Sequence, residues 1–326
     1  MRIQGYEVHA SSLAGVSTCI GVTKGKRFRI AFDMGSCPQW SHGANVVFVS
    51  HCHIDHFGSV FNHARVRSMN NSKKKVIYFV PKECVEILKK IKVMYEQLDA
   101  MKTCGTDSHD EKTDHPTSLP MEFRGVEAGK IYPFPHCKSF YFRVFATDHR
   151  VPSVGYAIFE RQKGGLIPEL VGKSGKEIGE FVKSTGRAAN TIRESLEIVY
   201  TGDTSGVSLF QNKELQKWLF DCTLFIVEMT FVCSEVSSVR SFLCVSFDPL
   251  MFNTNKQTQK KANEKKHVHL CDMLDVMKRN ENIFDRIGTF LFVHFSVRYS
   301  RDEIVKNLRR MLPDVRIFSS LCFSFS

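Results

Sequence analysis

The chain has no run of about 18 uncharged apolar residues, so no segment reads as a membrane-spanning helix. Its first ten residues, MRIQGYEVHA, lack the apolar middle of a secretory signal. It has no C-x-x-C pair among its eleven cysteines, which lie scattered from Cys19 to Cys322. That spacing argues against a zinc ribbon or a disulfide frame and for reduced, mostly buried thiols. There is no internal repeat, and only the stretch 254–266 (TNKQTQKKANEKK) approaches low complexity. The expected compartment is cytosol or nucleus, with an organellar form left open.

Apolar residues are plentiful: 43% of 326 positions against 24% charged, with a mean hydropathy of −0.18. This balance excludes a disordered chain and leaves ample length for one large domain. Acidic residues are the scarcer charge. Against 34 Asp and Glu stand 45 Lys and Arg, a net charge of +11, which favours a polyanionic partner such as nucleic acid.

Short β-branched runs fill the first half: 17–22, 28–32, 45–50 and 76–80. The run V-V-F-V-S at 46–50 has almost no polar interruption and suits a strand buried on both faces. Pro81 then opens a helix with Cys84, Leu88, Ile91, Tyr95 and Leu98 at steps of four and three. Residues 102–118 are polar and turn-rich and read as a surface loop. Strands are expected again at 139–146, 155–160, 198–200, 224–227 and 289–294. A last helix is expected from Ser300, with Glu303 completing an S-x-x-E capping box, ending before Pro313. Alternating strands and helices predict an α/β sandwich, sheets inside and helices outside.

The chemistry concentrates in S-H-C-H-I-D-H, where His51, His53, Asp55 and His56 follow the buried strand. Four such polar groups beside an apolar strand are costly to bury unless they bind a cation. Imidazole and carboxylate donors suit zinc, and two ions about 3.5–4 Å apart can share one water. Four residues cannot complete two sites. His149, Asp203 and His294 each emerge from the end of an apolar strand and are candidates for the rest. His9, His42, His63, His109, His115 and His136 read as ordinary core or surface residues, and Cys52 as packing.

The series S-H-C-H-I-D-H, a later His, T-G-D-T and a final His resembles the metallo-β-lactamase superfamily. That resemblance implies an αββα sandwich, two mixed sheets inside with helices on both outer faces, and a dinuclear site at one edge. F-D-M-G at 32–35, V-P-S-V-G-Y at 151–156, E-M-T-F at 228–231, H-V-H-L at 267–270 and H-F-S-V-R-Y at 294–299 narrow it. Together they resemble ribonuclease Z, the tRNA 3′-processing endonuclease, in its short, plant-like form.

The resemblance implies that His51, His53 and His149 bind one zinc, that Asp55, His56 and His294 bind the other, and that Asp203 bridges them; other divalent metals remain open. Asp55 would also be the general base. Glu228 and His267 would protonate the departing ribose oxygen, with His269 as the competitor for that place. Asp33 would hold a metal-bound histidine, and Ser296 and Arg298 would contact phosphate. It further implies precursor tRNA as substrate and a homodimer. Two other functions stay open: a glyoxalase II-like small-molecule hydrolase, and a catalytically impaired RNA-binding homologue.

The expected organisation is one domain, 1–326, with two insertions. Residues 157–197 would be a tRNA-gripping arm, by position rather than charge, since seven basic residues stand there against six acidic. Residues 232–266 are out of pattern, 35 residues with an apolar run, F-L-C-V-S-F, and a basic end. A segment misassembled at the gene level is the simpler reading of them, a genuine extension toward RNA the other.

Overall fold

Consecutive apolar residues have no polar face to turn to water, and here they become strands covered on both sides. The computed structural model describes residues 1–26, 28–69, 75–99, 118–232, 249–279, 284–312 and 317–319. One sheet carries β1 (Arg2–Ile3), β2 (Tyr6–Ala14), β3 (Ser17–Lys24), β4 (Phe28–Phe32), β5 (Val46–Phe48), β6 (Val76–Pro81) and β7 (Met121–Val126), side by side in chain order. The other carries β8 (Ile131–Pro133), β9 (Phe140–Ala146), β10 (Val154–Leu166), β11 (Asn190–Tyr200), β12 (Cys222–Glu228) and β13 (Phe290–Val293). The chain then crosses to the first sheet, where β14 (Phe295–Ser296) pairs with β2, and returns as β15 (Ile317–Ser319) beside β13. Both sheets are mixed: β1 to β4 and β8 to β11 run antiparallel, and the strands beyond them parallel.

Three buried clusters define the layers. Between the sheets lie Phe32, Phe48, Phe142, Tyr156, Ile198, Ile226 and Leu291. On the outside of the first sheet, Val47 and Tyr78 pack against Phe57 of α1 (Ile54–Phe57), Phe61 and Ala64 of α2 (Val60–Met69) and Leu88 of α3 (Val85–Asp99). A ribbon made by β10 and β11 leads to α4 (Gly175–Thr185). On the outside of the second sheet, Phe225 and Phe292 pack under α5 (Gly206–Phe210), α6 (Lys213–Gln216), α8 (Leu270–Arg279) and α9 (Arg301–Met311), with α7 (Pro249–Lys265) before α8. The expected α/β sandwich, helix on sheet on sheet on helix, is the architecture found.

Two elements differ from the sequence reading. Between the expected strands 155–160 and 198–200 the pairing does not stop: β10 continues to Leu166 and pairs with β11 from Asn190 onward, with Arg161 opposite Glu194 and Lys163 opposite Ile192. Both faces of this ribbon meet solvent, so no alternation of apolar residues marks it. Its helix α4 has a complete capping box, Ser174 with Glu177, and ends at Gly186 in the left-handed region. The helix α2 went unread because polar His63 and Arg67 share its buried face with Val60, Phe61 and Ala64. All but the last residue of the expected loop at 102–118, and the apolar run at 242–247, lie outside the described residues.

Candidate metal centre

In β4, β5 and β6 the strands run parallel, and so do β11, β12 and β13, so their carboxyl ends meet at one edge of the sandwich. Ligand sites form at such an edge in open α/β sheets. Asp33 follows β4, His51 follows β5, Asp203 follows β11, Glu228 ends β12 and His294 follows β13. Asp33 and His294 have φ of +55° and +61°, a left-handed backbone that L residues adopt at a cost. Such strain persists where the surroundings require it.

Close backbone approach joins the motifs. A Cβ on Gly35 would sit 1.8 Å from the Asp55 carbonyl oxygen, and one on Gly202 would sit 2.3 Å from Ser50 Cβ. The F-D-M-G and T-G-D-T loops therefore need glycine to lie against S-H-C-H-I-D-H.

The buried Asp33 carboxylate organises the first group. It accepts from Ser50 N–H at 2.7 Å, Ser50 Oγ at 2.9 Å and the Tyr200 hydroxyl, and its Oδ2 lies 2.6 Å from His56 Nδ1. With Nδ1 engaged, His56 turns Nε2 inward, 3.1 Å from His294 Nε2 and 3.4 Å from Asp203 Oδ1. His294 is oriented in the same way: Thr230 Oγ1 lies 2.9 Å from its Nδ1, and its Nε2 is 3.4 Å from Asp55 Oδ2. On the other side, His51 Nε2 lies 2.9 Å from His53 Nδ1, which is 3.2 Å from His149 Nε2.

Donor atoms thus gather into His51, His53 and His149, into Asp55, His56 and His294, and into His51, His56 and Asp203, each set within 4.8 Å. Ring nitrogens holding lone pairs toward one another at 3.1 Å repel unless a cation or proton lies between them. Asp203 Oδ1 is buried without a hydrogen-bond partner. Both features, with a nitrogen and oxygen donor set, fit divalent metal binding. Burial alone raises the Asp203 carboxyl, but His294 and His56 beside it hold it well below the usual carboxylate range.

Next to this cluster, His267 Nδ1 lies 3.1 Å from Glu228 Oε1 and 3.2 Å from Oε2. Glu228 also accepts from Thr204 N–H at 2.8 Å and Thr230 Oγ1 at 2.5 Å. Burial is the largest single effect and lowers the His267 pKa, but the Glu228 charge, its hydrogen bond and the Asp203 charge together outweigh it and leave the ring above an ordinary histidine. It is His267, not His269, that meets Glu228: His269 Nε2 lies 3.1 Å from Thr258 Oγ1 and its Nδ1 accepts from Cys271 N–H. Cys52 packs on the outer cluster of the first sheet. Ser296 is buried in β14, its N–H donating to Thr230 O at 3.1 Å, and Arg298 is exposed with its guanidinium 5.5 Å above Phe231.

A cavity of about 400 Å³ opens onto Asp55, Asp203, His267 and His294, with Arg150 and Arg298 also lining it. A larger cleft of about 570 Å³ around Trp218 and Arg286, at the amino-terminal end of β12, gathers none of these groups. Sequence reasoning missed Thr230, which touches Glu228, His267 at 3.4 Å and His294. It also missed Tyr200, Arg150 and Lys266. Thr230 stood in E-M-T-F, but a hydroxyl that links other side chains leaves no spacing signal.

No protein-family model matches the chain. Among curated proteins it is similar to tRNase Z TRZ1 of Arabidopsis thaliana, 26% identical over 321 residues, which cover 98% of this chain and 96% of that one. Among solved structures it is similar to the metallo-β-lactamase fold protein YhfI of Bacillus subtilis, with a TM-score of 0.55 at 11% identity over 96% of each chain. It is also similar to human tRNase Z, short form, with a TM-score of 0.52 at 16% identity over 89% of this chain and 93% of that one. The structural likenesses establish the fold, and the sequence likeness along nearly the whole chain narrows it. The chain is thus similar along nearly its whole length to a protein named tRNase Z, and it has the metallo-β-lactamase fold.

Proposed function

We propose that the chain is a metal-dependent endoribonuclease that removes the 3′ trailer from precursor tRNA, leaving a 3′-hydroxyl on the tRNA and a 5′-phosphate on the trailer. The observation that carries this reading is the Glu228–His267 pair, 3.1 Å apart, at the rim of the cation-binding cluster. A ribose 3′-oxygen is a poor leaving group and needs a proton as it departs. A histidine whose pKa is raised by a glutamate can give one, worth on the order of 10²- to 10⁴-fold in rate.

His51, His53 and His149 would hold one zinc or other divalent ion, Asp55, His56 and His294 a second, with Asp203 between them. Such ions, when bound, lower the pKa of a shared water toward 7 and offset the charge that grows on the phosphate. The protein's own groups do the rest. Asp55, whose Oδ2 accepts from Gly15 N–H at 2.9 Å, is held as a carboxylate that can take the proton of the attacking water. Asp33 and Thr230 fix the rings of His56 and His294. With Nδ1 of His267 against Glu228, Nε2 is the nitrogen left to donate to the leaving oxygen. Ser296 and Arg298 would meet the scissile or neighbouring phosphate.

A net charge of +11 suits an RNA substrate better than a small neutral one. The ribbon of β10 and β11 with α4, largely exposed beyond the sheet core, would serve as the arm for tRNA, and a homodimer would let one subunit's arm serve the other's site. Cytosol or nucleus is the proposed compartment; among the described residues no helix is long and apolar enough to cross a membrane.

Purified protein incubated with a precursor tRNA bearing a short trailer, with and without chelator, tests this reading. The expected result is cleavage after the discriminator base that disappears on chelation. Metal-dependent thioester turnover beside intact RNA would overturn it.

A further inference from the structure

The segment that departs most from the family pattern ends inside the site. Ala262 of α7 is fully buried, and its carbonyl accepts the N–H of His267 at 2.9 Å. Gln259 Nε2 donates to Asp272 Oδ1 at 2.6 Å, and Thr258 meets His269. These contacts dock the described end of the insertion against the segment that opens α8. Lys266 then turns the chain with φ of +60°, so that its backbone and side chain both reach across to the His149 loop.

Two contacts result. The Lys266 carbonyl lies 3.3 Å from His149 Nδ1, and the Lys266 ammonium lies 3.0 Å from Asp148 Oδ2. Asp148 is itself held by Ser208 Oγ at 2.8 Å. Its N–H donates to Thr204 Oγ1 at 3.1 Å, and its carbonyl accepts from Ser205 N–H at 3.0 Å, which ties it to the loop of Asp203. The ion pair is more than a third exposed on both sides, 42% and 35%, so it contributes little to stability. What it sets is geometry.

We propose that Lys266 is a positioning residue with two arms. Its carbonyl fixes the ring of His149, and its ion pair with Asp148 locks the segment carrying His267 at a set distance from the ligand cluster. A metal ligand and the proton donor are thereby placed by one side chain and its own backbone. The assignment rests on the nuclease reading above for its catalytic consequence, though not for the lock itself.

Lys266→Met, Asp148→Asn, their combination and Lys266→Arg test it in the full chain. Amide exchange reads the lock without any substrate: Lys266→Met and Asp148→Asn should each speed exchange at His267 and its neighbours by about tenfold, with Lys266→Arg close to wild type. On precursor tRNA the same two variants should lose about tenfold in kcat with KM and zinc content unchanged. The double variant should lose no more than either single one. On a p-nitrophenyl phosphodiester, whose leaving group departs without a proton, they should lose less than on precursor tRNA. Unchanged exchange, or equal loss on both substrates, overturns the proposal. If exchange responds as expected while wild-type protein leaves precursor tRNA intact, the lock stands and the nuclease reading fails.

Discussion

His56 Nδ1 and Asp33 Oδ2 lie 2.6 Å apart, although 23 positions separate the two residues, and both are buried. The carboxylate only accepts, and it takes hydrogen bonds from the Ser50 N–H, the Ser50 hydroxyl and the Tyr200 hydroxyl as well. In Asp33→Asn an NH₂ group must face one of these donors. The expected outcome is a loss of about 10- to 100-fold in zinc affinity, measured against a competing chelator. A stability loss of about 1–3 kcal/mol in urea unfolding should accompany it. Wild-type zinc affinity in this variant would show that Asp33 does not orient His56.

Asp203 and His267 lie 3.7 Å apart, yet the chemistry assigns them different work. Asp203→Ala removes a carboxylate whose Oδ2 lies 3.9 Å from His51 Nε2 and whose Oδ1 lies 3.4 Å from His56 Nε2, so zinc content measured by elemental analysis should fall together with cleavage. His267→Ala should keep its zinc and lose on the order of 10²- to 10⁴-fold in the cleavage step under single turnover. Equal zinc loss in the two variants would mean that His267 is a ligand and not the acid.

The sequence announced what depends on composition and short spacing. V-V-F-V-S became β5 and the turn into His51, because an unbroken apolar run has one place to go. Ser300 and Glu303 formed both halves of the capping box before α9. His51, His53, Asp55 and His56 were visible as neighbours, and His149, Asp203 and His294 as ligand types at strand ends. What stayed hidden depends on partners distant in the chain. Thr230 acquires its place from His294, 64 positions on, and the Lys266 contact spans 117 positions to His149. The β10–β11 ribbon is held by main-chain pairing between polar residues, which leaves no hydrophobic period to read.

His63 supplies a pH dependence apart from the metal centre. It is fully buried in α2, with Nδ1 2.7 Å from the Tyr78 hydroxyl and Nε2 3.1 Å from Ser41 O. Burial, aided by the Arg67 charge, lowers its pKa to about 4, against about 6.5 in an unfolded chain. Above pH 6.5 neither state binds the proton, so its contribution is fully present. As pH falls toward 4 the unfolded chain takes up a proton that the folded one refuses, and stability drops by about 2 kcal/mol by pH 5. Urea unfolding at about pH 7 and pH 5 should therefore show a steeper loss in wild type than in His63→Gln. Parallel losses would assign the acid sensitivity elsewhere.

Gly202 joins two requirements in one residue. Its φ is +60°, and an added Cβ would lie 2.3 Å from Ser50 Cβ and 2.7 Å from Ser50 Oγ. The backbone term alone costs an alanine about 1–2 kcal/mol. The clash cannot be relieved by rotating a flexible side chain, because Ser50 is held to Asp33 and lies 3.0 Å from His51 Nδ1. Overpacking of this kind adds about 1–3 kcal/mol. Either the T-G-D-T loop lifts and carries Asp203 away, or Ser50 shifts and turns His51. Both routes disturb the ligand cluster, so Gly202→Ala should lose stability in urea and zinc affinity together. Gly172→Ala, also at positive φ with nothing within 4 Å of the added carbon, separates the terms: it should show the backbone cost alone and bind zinc as wild type does. Equal zinc affinity in the two variants would mean that the contact between Gly202 and Ser50 does not position the ligands.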